Sequence, residues 1–100
     1  MSLICDSDAD GDCITLHVND RFDFSVHRGF HDACLARPRV RSYVVDLEGV
    51  TSMDSSALGM LLLLREHAGG DDADIRVVNA SDDLRNTFRV AGLDRMLTLG

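Results

Sequence analysis

The chain has 100 residues, 45% of them apolar and 27% charged, with a formal net charge of −7 at pH 7. That length suits one compact domain over residues 1–100 and excludes two. The negative field disfavours nucleic acid and acidic membrane surfaces as partners and favours basic ones. The longest unbroken apolar run, Met60 to Leu64, falls far short of the roughly 20 residues of a membrane span. No charged-apolar-small leader opens the chain, so a soluble, cytoplasmic protein is expected. Three cysteines, Cys5, Cys13 and Cys34, are an odd number without metal-type spacing, the pattern of reduced thiols rather than of a disulfide scaffold.

Asp6-Ser7-Asp8-Ala9-Asp10-Gly11-Asp12 reproduces the first half of a calcium loop. The bidentate Glu that closes such a loop would fall at His17, so the segment reads as a polar hairpin turn between two strands. Ile14, Leu16 and Val18 alternate with Thr15 and His17, the period of a half-buried strand. Ser25 is placed to cap a short helix carrying Val26, Phe30, Ala33 and Cys34, which Arg37-Pro38 stops. His27 and His31 have the spacing of a zinc pair on that helix but no third ligand, and they are assigned to a solvated face. His17 and His67 read as isolated. Arg37, Arg39 and Arg41 form the one basic cluster, a solvated loop with no interleaved aromatics to stack bases.

Val40 to Leu47 is rich in β-branched residues and reads as a strand. Beyond it, Met53-Asp54-Ser55-Ser56-Ala57-Leu58-Gly59-Met60 sets two hydroxyls at the mouth of an apolar helix from Ser55 to Ala68, closed by Gly69-Gly70. On a projection at 100° per residue with Leu61 inward, Ala57, Leu58, Leu64 and Ala68 share its arc. Leu63 then points outward beside Gly59, Glu66 and Ser56, with Met60 and Leu62 on the flanks. Ser55, Ser56, Gly59, Met60 and Leu63 make a candidate docking surface. Asp71 to Asp74 forms a turn, Ile75 to Asn79 a strand, and Ser81-Asp82-Asp83 caps a helix that buries Leu84, Phe88 and Val90 or Ala91 before Gly92. Met96 to Leu99 is a short final element. The alternation implies an α/β fold, a mixed β-sheet with helices packed mainly on one face.

Tyr43 to Asp46 followed by Met53-Asp54-Ser55-Ser56-Ala57-Leu58-Gly59 resembles the signature of single-domain STAS proteins, the bacterial anti-sigma factor antagonists. Arg21-Phe22-Asp23, Gly69-Gly70 and Arg85 to Leu93 extend that resemblance over nearly the whole chain. The family often has Gly where this chain has Ala57, and a Gly at the turn held here by Asp20, a position that favours positive φ. The resemblance implies phosphorylation of Ser55, with Ser56 as a secondary candidate, and a role near that hydroxyl for Asp23 and Asp54. It implies three partners: an anti-sigma factor or equivalent target, a serine kinase using ATP, and a metal-dependent serine phosphatase. No Gly-rich phosphate loop is present, so no cofactor is expected. A Gly-x-Ser-x-Gly elbow is also missing, and the chain is read as a binding module rather than an enzyme. The alternative is a STAS accessory subunit of a transporter ATPase that is not phosphorylated.

Overall fold

The computed structural model describes residues 3–7 and 11–99. β1 (Leu3–Ser7), β2 (Cys13–Phe22), β3 (Ser42–Met53), β4 (Ile75–Val78) and β5 (Thr98–Leu99) form one sheet in chain order. β1 pairs antiparallel with β2, and the remaining neighbours are parallel. A parallel neighbour cannot be reached through a tight hairpin, so each later connection carries helix. Between β2 and β3 run a 3-10 turn (Phe24–Val26), α1 (His27–Phe30) and a π-helical turn (His31–Leu35); α2 (Ser55–His67) joins β3 to β4, and α3 (Asp82–Val90) leads on to β5. This is the mixed α/β sheet expected. Asp8, Ala9 and Asp10 of the calcium-like segment lie outside the described residues. Among the described residues no group of three or more His, Cys, Asp or Glu is placed to hold a metal ion, and no helix is long and apolar enough to cross a membrane.

Strand alternation gives the sheet one dry face. Ile14, Leu16, Val18, Tyr43, Val45, Leu47, Ile75 and Val77 are buried, while Thr15, His17, Val44 and Asp46 between them are partly exposed. The dry face is covered by Phe30, Ala33 and Cys34 from the first helical segment, by α2, and by Leu84 and Phe88 of α3. Phe22 and Phe30 meet across this layer with ring centroids 6.4 Å apart, in the range of favourable aromatic pairs. Gly29 allows the close approach of α1 to β1, since a Cβ there would sit 3.1 Å from Leu3 Cδ2. Burial pushes the Cys34 thiol up to about 12, with Cys5 adding to the rise and Arg37 opposing it. It therefore behaves as a small core hydrophobe, and all three cysteines are free.

Three expectations change. The strand over Val40 to Leu47 begins at Ser42 and continues to Met53, paired with β2 through register shifts between His17 and Asn19 and between Asp20 and Arg21. Asp20 has the positive φ, 63°, that its position favours, but as a bulge inside β2 rather than as a turn. In α3 neither Val90, 80% exposed, nor Ala91 enters the core; Leu93, just past the helix, takes the third apolar position. Urea unfolding should therefore separate the two sites. Phe88→Ala is expected to cost about 3–5 kcal/mol, and Val90→Ala to stay within roughly 0.5 kcal/mol of wild type.

Candidate functional site

The two longest strands stop together. β2 and β3 pair to their last residues, Phe22 opposite Met53, and the Asp54 N–H donates to the Phe22 carbonyl at 3.3 Å. Each strand then delivers an extended aspartate that caps a helical turn, Asp23 at φ −138° and Asp54 at φ −118°. Asp54 Oδ1 accepts from the N–H groups of Ser56 and Ala57 at 2.9 and 3.3 Å. Asp23 Oδ1 accepts from the Ser25 N–H at 2.9 Å and from its hydroxyl at 2.5 Å. Asp23, and not Ser25, is thus the cap of the first helical segment. The Ser25 hydroxyl and N–H, with Arg21 assisting, outweigh slight burial and hold the Asp23 carboxyl below its ordinary range.

Ser55 is the first residue of α2 and is exposed; Ser56 is half-buried. The buried side of α2 comprises Ala57, Met60, Leu61 and Leu64, continued by Ala68 beyond its end. That arc is rotated toward Met60 from the projected one, leaving Leu58 half-buried. Met60 is only 2% exposed and drops out of the docking surface that the sequence suggested. The opposite side presents Ser55, Gly59, Leu62, Leu63 and Glu66, with the two leucines 40% and 50% exposed. Leu62 belongs to this surface and was assigned only to a flank by the sequence. Phe24, which follows Asp23 as Ser55 follows Asp54, is 68% exposed and stacks on His27 with ring centroids 4.9 Å apart. It lies at the same end of the sheet and had no counterpart among the sequence candidates.

Gly59 is informative because the fold makes no demand for it. It lies inside α2, and a Cβ added there would meet nothing within 4 Å. Glycine at an interior helix position costs about 1 kcal/mol relative to alanine. Local stability is therefore given up on the one face of α2 where Ser55 and the exposed leucines gather.

His17 is not isolated. On the wet face of the sheet its Nδ1 lies 3.0 Å from Asp46 Oδ2 and its Nε2 3.3 Å from Asp6 Oδ2. Asp46 Oδ1 also accepts from Asn79 Nδ2 at 3.1 Å and from the Glu48 N–H at 3.0 Å. Burial pushes the Asp46 carboxyl up, but the hydrogen bonds from Asn79, Glu48 and His17 together outweigh it and hold the group below its ordinary 3.8. A shallow pocket of about 240 Å³ opens here, lined by His17, Val18, Asn19, Asp46, Glu48 and Gly49. No local pattern signals this contact, which joins three strands and the turn after β4. The other histidines of the helical segment are engaged locally, His27 with Phe24 and His31 with Asp32 at 3.5 Å. Arg39, from the basic cluster, lays its guanidinium over Gly69 at the end of α2, where a Cβ would meet it at 2.8 Å.

A family model described as "Mlab, STAS domain" matches residues 5–98. A STAS-domain-containing protein of Pseudomonas aeruginosa is 42% identical over 101 residues, covering 99% of each chain. Among solved structures, a Thermotoga maritima protein described as a candidate anti-sigma factor antagonist aligns with a TM-score of 0.80 at 17% identity, covering 97% of this chain and 84% of that one. The anti-sigma factor antagonist SpoIIAA in its unphosphorylated form aligns at 0.71 and 14% identity, over 93% of this chain and 96% of that one. The Bacillus cell fate determinant SpoIIAA in its phosphorylated form aligns at 0.69 and 16% identity, over 98% and 90%. At these identities the structural matches establish a shared fold.

Acid titration should expose the Asp46 network. Its carboxyl is depressed in the folded state, so the stability it contributes is present above its ordinary 3.8 and is lost as pH falls through the lower folded value. Thermal melts are expected to show wild type losing stability more steeply than Asp46→Asn once the pH drops below about 4. Separately, Asp54→Ala removes the cap of α2 and should lower unfolding free energy by about 1 kcal/mol at neutral pH.

Proposed function

The chain belongs to the STAS-domain family, and we propose that within it this protein is a phosphorylation-controlled anti-sigma factor antagonist. Unmodified, it binds an anti-sigma factor or an equivalent target through the face of α2 that carries Ser55; phosphorylated on Ser55, it releases that target. The observation that carries this reading is the position of Ser55, an exposed hydroxyl on a capped helix end beside Leu62, Leu63 and a glycine the fold does not require. Asp54 and Ser56 flank the hydroxyl in the chain, Asp23 follows the end of the neighbouring strand, and Phe24 extends the apolar rim. The protein acts as substrate and ligand in the cytoplasm, without enzymatic activity of its own. A serine kinase and a metal-dependent phosphatase set its state.

The physics favours a switch of affinity over a switch of shape. Phosphorylation adds about −1.5 to −2 charges. At the first residue of a helix that anion gains roughly 0.3–1 kcal/mol from the dipole, so α2 survives the modification. SpoIIAA has been solved with and without its phosphoryl group, and both forms superpose on this fold. A partner that covers Ser55 must, however, strip water from the phosphate or face it with its own charges. Losses of about 2–5 kcal/mol are typical of a buried charge left unpaired, equivalent to a hundredfold or more in affinity.

Target capture from the source cells tests this. Wild type and Ser55→Ala should retain the target, and Ser55→Asp should lose it by on the order of a hundredfold. Equal capture by all three would remove the switch and favour the unphosphorylated transporter-ATPase accessory subunit. Gly59→Ala separates surface from fold: unfolding should become harder by up to about 1 kcal/mol, while capture weakens because the added methyl group stands on the docking face. Intact-mass analysis of protein taken from those cells should show one phosphoryl group, and fragmentation should place it on Ser55.

A further inference from the structure

The sheet end that holds Ser55 is crowded with acid. Its two strand termini, residues 20–23 and 52–55, contain Asp20, Asp23 and Asp54 and a single cation, Arg21. Arg21 sits opposite Ser52 in the β2–β3 pairing, is 73% exposed, and directs its Nε toward Asp23 Oδ2 at 3.7 Å. That distance is within ion-pair range but too long for a hydrogen bond. Asp23 does not depend on the arginine, because its other oxygen already holds the Ser25 N–H and hydroxyl. The guanidinium is thus loosely held by a carboxylate that has other donors. It already reaches the level of Asp23, the residue following the Phe22–Met53 pair just as Asp54 does, and Ser55 is the next residue along.

We infer that Arg21 is a phosphate clamp in waiting, which exchanges Asp23 for the phosphoryl group when Ser55 is modified. The inference rests on the reading of Ser55 as the modified hydroxyl and adds to it how the fold tolerates the modification. A phosphoserine dianion beside Asp54 and Asp23 meets like charges, and the dipole of α2 offsets only part of that repulsion. A planar guanidinium offers two parallel N–H donors to phosphate oxygens, and this geometry suits it better than the single long contact it now makes. The mobile part of the exchange is the exposed Arg21 side chain, which passes from one anion to a more highly charged one at the same strand end. In the unmodified protein the same side chain rests on Asp23, leaving the Ser55 hydroxyl open to a kinase. In the modified one, it would bind the group that a phosphatase must attack.

The test uses full-length protein with phosphoserine installed at position 55 during synthesis, so that no kinase is involved. The second ionisation of the phosphoryl group, ordinarily near pH 6, is followed by phosphorus-31 NMR in wild type and in Arg21→Gln and Arg21→Lys. Arg21 favours the dianion, so its removal by Gln should raise the midpoint by roughly half a unit, the scale an exposed charge pair supports. Lysine should restore part of the shift, and 1 M salt should erase the difference. Coincident titration curves for wild type and Arg21→Gln at low salt would overturn the clamp while leaving the switch at Ser55 intact. Failure of that underlying reading shows elsewhere, as protein from the source cells without a phosphoryl group on Ser55.

Discussion

Everything at the candidate site depends on β2 and β3 remaining paired, in parallel, to their final residues. Parallel strands end at the same edge of a sheet, so their continuations emerge side by side. Here those continuations are Asp23 and Asp54, each extended and each capping a helical turn. The pairing reaches that edge only because the register shifts twice and Asp20 takes a positive φ. Bulges of this kind bend a strand and re-aim the residues beyond them. In this chain they bring Phe22 level with Met53 and the two caps into one rim. Ligand sites in α/β sheets collect at the carboxyl ends of strands for the same geometric reason.

The rim combines a packed base with exposed side chains. Phe22, Ala57 and Leu61 are fully buried directly beneath it, and Asp54 has already satisfied the N–H groups of Ser56 and Ala57. A new anion on Ser55 therefore finds a helix end that needs no repair. Arg21, Leu62, Leu63 and Phe24 are by contrast exposed, and the ion pair that ties Arg21 to Asp23 is long. A surface built in this way can change its charge without changing its shape. Under the proposed switch, partner choice would then depend on how much desolvation each partner tolerates.

The sequence disclosed what is local and concealed what is not. The four buried residues of the first helical segment, the limits of α2 and the Ser81 cap of α3 were legible because spacing and capping chemistry are encoded within a few residues. The core arc of α2 was legible to within one flank: assuming Leu61 at its centre left Met60 outside, whereas the folded protein buries Met60 and leaves Leu58 half-buried. The second half of β3 was hidden because Glu48-Gly49 and Thr51-Ser52 break its alternation, and only pairing with the bulged β2 keeps it extended. Asp23 competed with Ser25 for one cap, and two residues of offset are beyond pattern reasoning. The His17–Asp46 contact spans 29 positions and obeys no local rule. At the candidate site, the positions of Ser55, Asp54 and Gly59 at the exposed start of α2 were legible, while the exposure of Phe24 and Leu62 required three dimensions.

The apolar rim bears on how strongly a phosphate can act. If Ser55 were surrounded only by polar side chains, a partner could dock over it through water, and the added charge would act across a high dielectric and be screened by salt. Leu62, Leu63 and Phe24 invite instead a contact that excludes water. In such a contact the effective dielectric falls and each unpaired charge weighs several times more than in solvent. Under the proposed switch, the same side chains that would supply affinity in the unmodified state would amplify the penalty in the modified one. That proposed coupling would account for exposed leucines and an unneeded helix glycine standing beside a hydroxyl on a chain of net charge −7. A drier interface binds more tightly and is also more sensitive to a single phosphoryl group.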